Sequence, residues 1–116
     1  MEFIFFAIAS FDYIIANQAR YNIRIVSNSY GTTGSADTPT LMAIQAAHDA
    51  GIAVFFAAGN SGPGSNTLNP YATPSYVIDV GAGTQEKGLT EFSSRGISSD
   101  PVQHPDLTRQ IGRAHV

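Results

Sequence analysis

The apolar side chains of the N-terminal stretch recur at the spacing of an α-helix. Ile4, Ile8, Phe11 and Ile15 follow one another at steps of three or four residues, which puts them on one helical face. A secretory signal would begin with basic residues, whereas the first charged residue here is Glu2. A membrane span would need about 20 apolar residues, and this run is shorter. We therefore expect a buried or half-buried helix, and neither a signal peptide nor a membrane span.

The pattern then changes to a strand and to a second helix. Residues 23–28 form a short β-branched run, which is typical of a strand. The second helix has signals at both ends. Asp37 or Thr38 can cap its start, Pro39 occupies its first turn, and Gly51 follows its last turn. This order of elements is that of a strand followed by a helical crossover.

Three further segments have the character of strands. Residues 52–58 are continuously apolar, as in a parallel strand that helices cover on both faces. Residues 76–82 predict a third strand and residues 89–94 a shorter fourth one. Helices alternating with strands indicate an α/β fold with a parallel sheet flanked by helices. Such sheets bind ligands beyond the carboxyl ends of their strands, which directs attention to the polar loops at 29–34 and 59–64.

Length and composition exclude several classes of protein. The chain has 116 residues, which allows one domain at most. It has no Cys, so disulfide scaffolds, thiolate catalysis and Cys-ligated zinc are excluded. Its net charge is −3 and its six Lys and Arg residues are dispersed, which disfavours nucleic-acid binding.

Sequence motifs for phosphate and metal binding are incomplete. The glycine-containing run at 31–38 lacks the Gly-Lys-Ser/Thr ending of a P-loop, and the run at 80–84 lacks the third glycine of a dinucleotide fingerprint. His48, His104 and His115 are not spaced as a pair of metal ligands. We therefore expect neither nucleotide binding nor metal catalysis, and no cofactor.

Asn60 is the position with the clearest chemical possibility. It follows a buried strand and stands between Gly59 and Ser61, where a ligand can approach the main chain closely. A side-chain amide fixed there can donate to a developing oxyanion, although Asn is also common in plain turns. Ser61 itself lacks the G-x-S-x-G pattern of a nucleophile elbow, because Pro63 replaces the last glycine. From the residue alone both interpretations of Asn60 stay open.

Five segments, taken in order, resemble those of the subtilisin-like serine proteases, the subtilases. They are IRIVSNSYG at 23–31, AAHDAGIAV at 46–54, FFAAGNSGPG at 55–64, YATPSYVIDVGA at 71–82 and EFSSRG at 91–96. Each match alone is weak, whereas five at consistent spacing are specific. The resemblance implies a truncated form of the three-layer subtilisin-like fold, with a parallel sheet between helices.

The resemblance also implies roles for seven positions. Asn60 matches the asparagine that donates to the oxyanion in this family. The other matching positions bind substrate, and they are Ser29, Tyr30 and Gly31 along an extended peptide and Ala57, Ala58 and Gly59 in a wall of the primary specificity pocket. Tyr30 is bulkier than the residue common at that position in the family. The implied partner is an extended peptide or protein substrate.

The catalytic triad of the family has no counterpart in the chain. Its Asp and His motifs would precede this stretch, and its nucleophile motif would follow Thr108. We therefore expect residues 1–110 to be the central part of a subtilase catalytic domain. Residues 111–116, IGRAHV, resemble the translation of a common sequencing adapter, and we expect them to be a non-native tail.

These expectations together describe part of a serine endopeptidase. The resemblance implies that the parent protein is secreted or at the cell surface, that it hydrolyses peptide bonds, and that this chain alone is inactive. It allows calcium in the parent domain, but no calcium site is identifiable in this chain. Two other classes remain open: a non-catalytic α/β module that binds a nucleotide or another ligand, and a pseudo-protease interaction domain.

Overall fold

The computed structural model describes residues 2–99 and 105–110. In chain order the helices are α1 (Glu2–Ala16), α2 (Gln18–Tyr21) and α3 (Thr38–Asp49), and a short 3-10 helix covers Pro70–Ala72. The strands are β1 (Ile25–Asn28), β2 (Ala53–Ala57), β3 (Ile78–Gly83) and β4 (Leu107–Gln110). None of the helices in the described part of the chain is long and apolar enough to cross a membrane. The expected tail at 111–116 lies outside the described residues.

The four strands form one parallel sheet in the order β1-β2-β3-β4. In its register Val26 lies opposite Val54, and Phe56 lies opposite Asp79. Helix α3 connects β1 to β2, which gives the βαβ unit that the sequence predicts. The predicted α/β fold class, with a parallel sheet flanked by helices, is confirmed.

Local signals explain both ends of α3. The Asp37 carboxylate caps the helix by accepting a hydrogen bond of 2.9 Å from the main-chain N–H of Thr40. Pro39 follows in the first turn, where its missing N–H has no intrahelical partner to lose. The helix ends before Gly51, whose φ of +89° suits a residue without a side chain.

The core lies between the sheet and the two longer helices. Phe11 of α1, Ile44 of α3 and Phe56 of β2 are almost fully buried in it. Along β2 the burial alternates, since Val54 and Phe56 are buried whereas Ala53, Phe55 and Ala57 are half-buried. The described helices thus pack on one face of β2, and the cover on both faces that its apolar run predicts is not found among the described residues.

The predicted strand at 89–94 is wrong. This segment forms turns, with one isolated bridge from Leu89 to Gly83. Its main-chain groups are used elsewhere, because Phe92 accepts a hydrogen bond from Gly62 and Ser94 donates one to Gly59. The fourth strand is instead β4, whose sequence LTRQ has no apolar run to reveal it.

Asp79 fastens β4 to the sheet. Its side chain is fully buried, and one carboxylate oxygen accepts a hydrogen bond of 2.6 Å from the main-chain N–H of Asp106. The Asp106 carboxylate in return accepts a bond of 2.9 Å from the Asp79 N–H. This reciprocal pair explains why a strand with buried positions carries an acidic residue.

Candidate active site and substrate cleft

The loops that follow β1 and β2 meet at the carboxyl edge of the sheet, as the sequence predicts. They enclose an open cavity of about 300 Å³. Six of the seven predicted site residues line it, and they are Ser29, Tyr30, Gly31, Ala57, Gly59 and Asn60. Residues Thr67, Leu68, Asn69 and Ser94 also line it. The structure therefore brings together the two segments that the sequence singled out separately.

Ala58 is the exception among the predicted site residues. Its side chain is fully buried and points away from the cavity into the interior. Its main chain is bonded on both sides, because its N–H donates to Val80 and its carbonyl accepts from the N–H of Asn69 at 2.7 Å. Ala58 therefore holds the wall of the cavity on its interior side, through its main chain.

Asn60 lies at the rim of this cavity. It also borders a second cavity of about 310 Å³ that extends over the half-buried face of the sheet, next to Phe55 and Val80. Its side chain is exposed and forms no hydrogen bond with another residue of the described chain. The carboxamide N–H groups of Asn60 are therefore available to an acceptor that enters either cavity.

Ser94 holds the turn that carries Asn60 from both sides. Its N–H donates to the Gly59 carbonyl at 2.9 Å, and its hydroxyl oxygen accepts from the Ser61 N–H at 2.9 Å. Ser94 is fully buried, so both bonds are shielded from water. Asn60 is exposed, but the residues before and after it are fixed.

Gly59 is required where the chain leaves β2. Its φ is +109°, which residues with a side chain rarely adopt. A Cβ atom at this position would also lie 2.7 Å from the hydroxyl oxygen of Ser94. Only glycine at this position therefore lets the Ser94 side chain come close enough to hold the turn.

Tyr30 packs inward instead of projecting along the cleft. Its ring meets Phe56 edge-on at a centroid distance of 5.3 Å and Tyr71 at 6.2 Å. Burial, and then the neighbouring Tyr71, raise the pKa of Tyr30 to about 12. The phenol thus stays neutral, and its bulk fills the base of the wall.

Among the cavity residues that were not predicted from the sequence, Ser94 and Asn69 hold the site together. Ser94 belongs to a segment that the sequence assigned to a strand. Asn69 is buried and donates hydrogen bonds to the carbonyls of Tyr30 and Ala57, which lie on the two walls. The only local signal for Asn69 is its place before Pro70, which is typical of a residue that caps a helix.

The described residues give no sign of a metal site. No group of three His, Asp or Glu side chains lies together within residues 2–99 and 105–110. His48 stacks on Tyr76 near the C-terminal end of α3, with the ring centroids 5.6 Å apart. That end of α3 leads into the start of β2, so it lies away from the carboxyl edge that carries the cleft. His104 and His115 lie outside the described residues.

Comparison with known proteins identifies the family. The sequence model of the subtilase family matches residues 7–110, which is most of the chain. This chain belongs to the subtilase family. Membership of this family is what the five sequence segments predict.

Individual relatives of this subtilase chain agree with the family match. Serine protease AprX of Bacillus subtilis (strain 168) is 36% identical over an alignment of 78 positions, which covers 61% of this chain and 18% of AprX. The structure of Sphericase matches with a TM-score of 0.70 and 24% identity, over 80% of this chain and 32% of that one, and so shows a shared fold. Prenylagaramide maturation protease PagA matches with a TM-score of 0.59 and 29% identity, over 72% of this chain and 30% of that one. The chain spans about a third or less of each of these proteins.

Proposed function

We propose that this chain supplies the oxyanion donor and part of the substrate cleft of a serine endopeptidase. In the proposed reaction the nucleophilic serine of the family, whose motif has no counterpart in this chain, is deprotonated by a histidine. It then adds to the carbonyl carbon of the scissile peptide bond. The carbonyl oxygen becomes an oxyanion, and the Asn60 carboxamide donates a hydrogen bond to it. The bond to the amine then breaks as the histidine gives the proton to the amine, and water afterwards hydrolyses the acyl-serine ester that remains. The observation that carries the proposal is the uncommitted Asn60 amide on a turn that Ser94 fixes from both sides.

The substrate in this proposal is an extended peptide. The main chain at Ser29–Gly31 would pair with it, and the 300 Å³ cavity beside Ala57 and Gly59 would take one of its side chains. None of the described residues that line this cavity is charged. A charged side chain would lose its hydration there without gaining a partner, so we propose a preference for neutral side chains.

Two further parts of the proposal come from the family resemblance. We propose that the parent protein acts outside the cell or at its surface. We also propose that the chain alone does not hydrolyse peptides, because it contains no motif that matches the Asp, His or Ser of the triad. In this proposal the chain uses no cofactor and does not bind nucleic acid.

A chimeric protease tests the proposal. In it, residues 7–110, which match the family model, replace the corresponding stretch of AprX, and hydrolysis of a chromogenic peptide is measured. The chimera should be active and the chain alone inactive. Asn60→Asp, which replaces the amide donor with an oxygen, should lower kcat by about 10²–10³-fold with little change in KM, the loss that removing this donor causes in a subtilisin.

Asn66→Asp is the matched control, because Asn66 is exposed in the same loop and lines neither cavity. It should leave kcat within about twofold. Equal kcat values for the Asn60→Asp chimera and the unaltered chimera would contradict the assigned role of Asn60. A folded chimera that binds the peptide without cleaving it would favour a pseudo-protease interaction domain.

A further inference from the structure

Asn69 is placed where the two walls of the cleft separate. The pairing of β1 with β2 ends at Asn28 and Phe56. Beyond that pair, the first wall continues through Tyr30 and the second through Ala57, with the cavity between them. Asn69 is only 7% exposed, and its side chain lies between these two walls.

The amide group of Asn69 bonds to both walls at once. Its Nδ2 donates to the Tyr30 carbonyl at 2.9 Å and to the Ala57 carbonyl at 3.0 Å. Both protons of the amide are therefore used, one on each wall. The opposite orientation of the amide would place its oxygen against two carbonyl oxygens, so this orientation is fixed by chemistry. The side chain takes the place of a ladder bond that the separating strands cannot make directly.

Asn69 is itself held by three more contacts. Its Oδ1 accepts from the Tyr71 N–H at 3.2 Å, which caps the short 3-10 helix, and its own N–H donates to Ala58 at 2.7 Å. Gly31 packs directly on the amide, since a Cβ atom there would lie 2.7 Å from the Asn69 Cγ. A side chain bonded at this many points cannot turn away without loss of several bonds.

We propose that Asn69 is a positioning residue that sets the distance between the two substrate-facing walls, and with it the width of the side-chain cavity. This inference rests on the proposed function, because the walls at Tyr30 and Ala57 are those assigned to the peptide. Asn69 acts on the substrate through these two carbonyls. Its loss should therefore change which side chains the cavity prefers, as well as how tightly a peptide is held.

The first test uses the AprX chimera, silenced at its nucleophile and without peptide, because the isolated chain is expected to self-associate. Carbonyl ¹³C shifts of Tyr30 and Ala57 are measured by NMR for the unaltered chimera, Asn69→Asp and the control Asn66→Asp. Asn69→Asp keeps an acceptor for Tyr71 but removes both donors, so both carbonyl shifts should change. Asn66→Asp adds the same charge in the same loop and should change neither.

A second variant covers the case in which the buried carboxyl group of Asn69→Asp prevents folding. Gly31→Ala changes an exposed residue whose main chain lies outside the left-handed region, and the three atoms nearest to the added methyl group all belong to the Asn69 side chain. The Ala57 carbonyl shift should still change, because the displacement passes through the Asn69 amide. Unchanged Tyr30 and Ala57 shifts in whichever of these variants folds would overturn the proposal.

The second test measures peptide binding by the same silenced chimeras. The probes are N-acetyl tripeptide amides that differ only at the C-terminal residue, which is Ala, Leu or Phe. With Asn69→Asp, binding of the preferred peptide should weaken by roughly tenfold and the ratio of Kd values between peptides should change. A residue that merely supports the fold would weaken all three peptides by one factor, and that result would overturn the proposal.

The two tests separate this inference from the proposed function. If the unaltered chimera binds none of the peptides, the assignment of the cleft to a peptide is contradicted. The carbonyl shifts then decide the inference, since a change at both walls supports the role of Asn69 in holding them apart and no change overturns it.

Discussion

At the scale of single residues, the site is built from main-chain geometry that a few small or polar side chains permit. Asn60 can present its amide because Gly59 turns the chain at a φ of +109° and Ser94 bonds to the residues on either side. Asn69 fixes both walls of the cleft in a comparable way. The Asn60 side chain is thus exposed, whereas Ser94, which holds the turn around it, is buried. This arrangement keeps the hydrogen-bond donor oriented before a substrate arrives.

Gly59→Ala should therefore damage the site more than its size suggests. The methyl group enters both an unfavourable φ and a contact of 2.7 Å with Ser94, so we expect a loss of about 1–3 kcal/mol in the free energy of unfolding. Urea denaturation of the AprX chimera, silenced at its nucleophile, measures this loss. Gly88→Ala is the control, because its nearest contact would be an ordinary 3.6 Å from Thr84 and the loss should stay within about 0.5 kcal/mol. Equal losses for the two variants would show that neither strain nor contact matters at Gly59.

At the scale of elements, the sequence predicts those whose signals are local. Helix α3 was predictable because its cap, its first-turn proline and its terminal glycine are neighbours in sequence. β4 was not, because its place depends on bonds between Asp79 and Asp106, which are 27 residues apart. The role of Asn69 was not predictable for the same reason, because its hydrogen-bond partner Tyr30 lies 39 residues away in sequence. The loops of the site were predictable from strand order, whereas the side chains that hold these loops depend on the assembled fold.

Asp37 links the start of α3 to the 3-10 helix, and its charge should matter to stability. Its carboxylate caps α3 and also accepts a bond of 2.7 Å from the Tyr71 hydroxyl. Burial acts to raise the pKa of Asp37, but hydrogen bonds from Thr40 and Tyr71 together hold it below its ordinary value of 3.8. Because the folded pKa is the lower one, the charge stabilises the fold above the ordinary pKa, and this contribution is lost as the pH falls through the folded pKa.

Asp37→Ala should cost about 0.5–2 kcal/mol in the free energy of unfolding near pH 7, since it removes the cap. The difference from the unaltered protein should shrink below about pH 4, where the carboxylate becomes protonated. Asp37→Asn keeps a capping oxygen without the charge and should show a smaller, pH-independent loss. Urea denaturation of the silenced chimera between about pH 3 and pH 7 measures all three. A cost of Asp37→Ala that stays constant over this range would rule out the charge as its source.

At the scale of the whole molecule, the sheet has one face in the core and one face that the described elements leave half-covered. The half-covered face carries apolar side chains on neighbouring strands, among them Ile25, Phe55, Val80 and Leu107. Ile25 is 65% exposed and Leu107 is 52% exposed. Parallel sheets are normally covered on both faces, so this surface is suited to contact with further protein. The cavity next to Asn60 opens onto the same face, which puts the oxyanion donor at the edge of that contact.

The chain by itself should therefore show exposed apolar surface and unfold over a broad temperature range. We expect it to bind the dye ANS and to self-associate, because the apolar face and the free edge of β1 are open to a second copy.

Phe55→Thr, on the half-covered face, should reduce dye binding and keep the secondary structure, since Thr suits a strand. Phe56→Thr, on the buried face of the same strand, should instead unfold the chain, because it removes a side chain that is 1% exposed from the core. Dye fluorescence, sedimentation and circular dichroism distinguish these outcomes. A sharp cooperative melt without dye binding would mean that the half-covered face is not a surface that needs a partner, and the expectation of low stability would then be wrong.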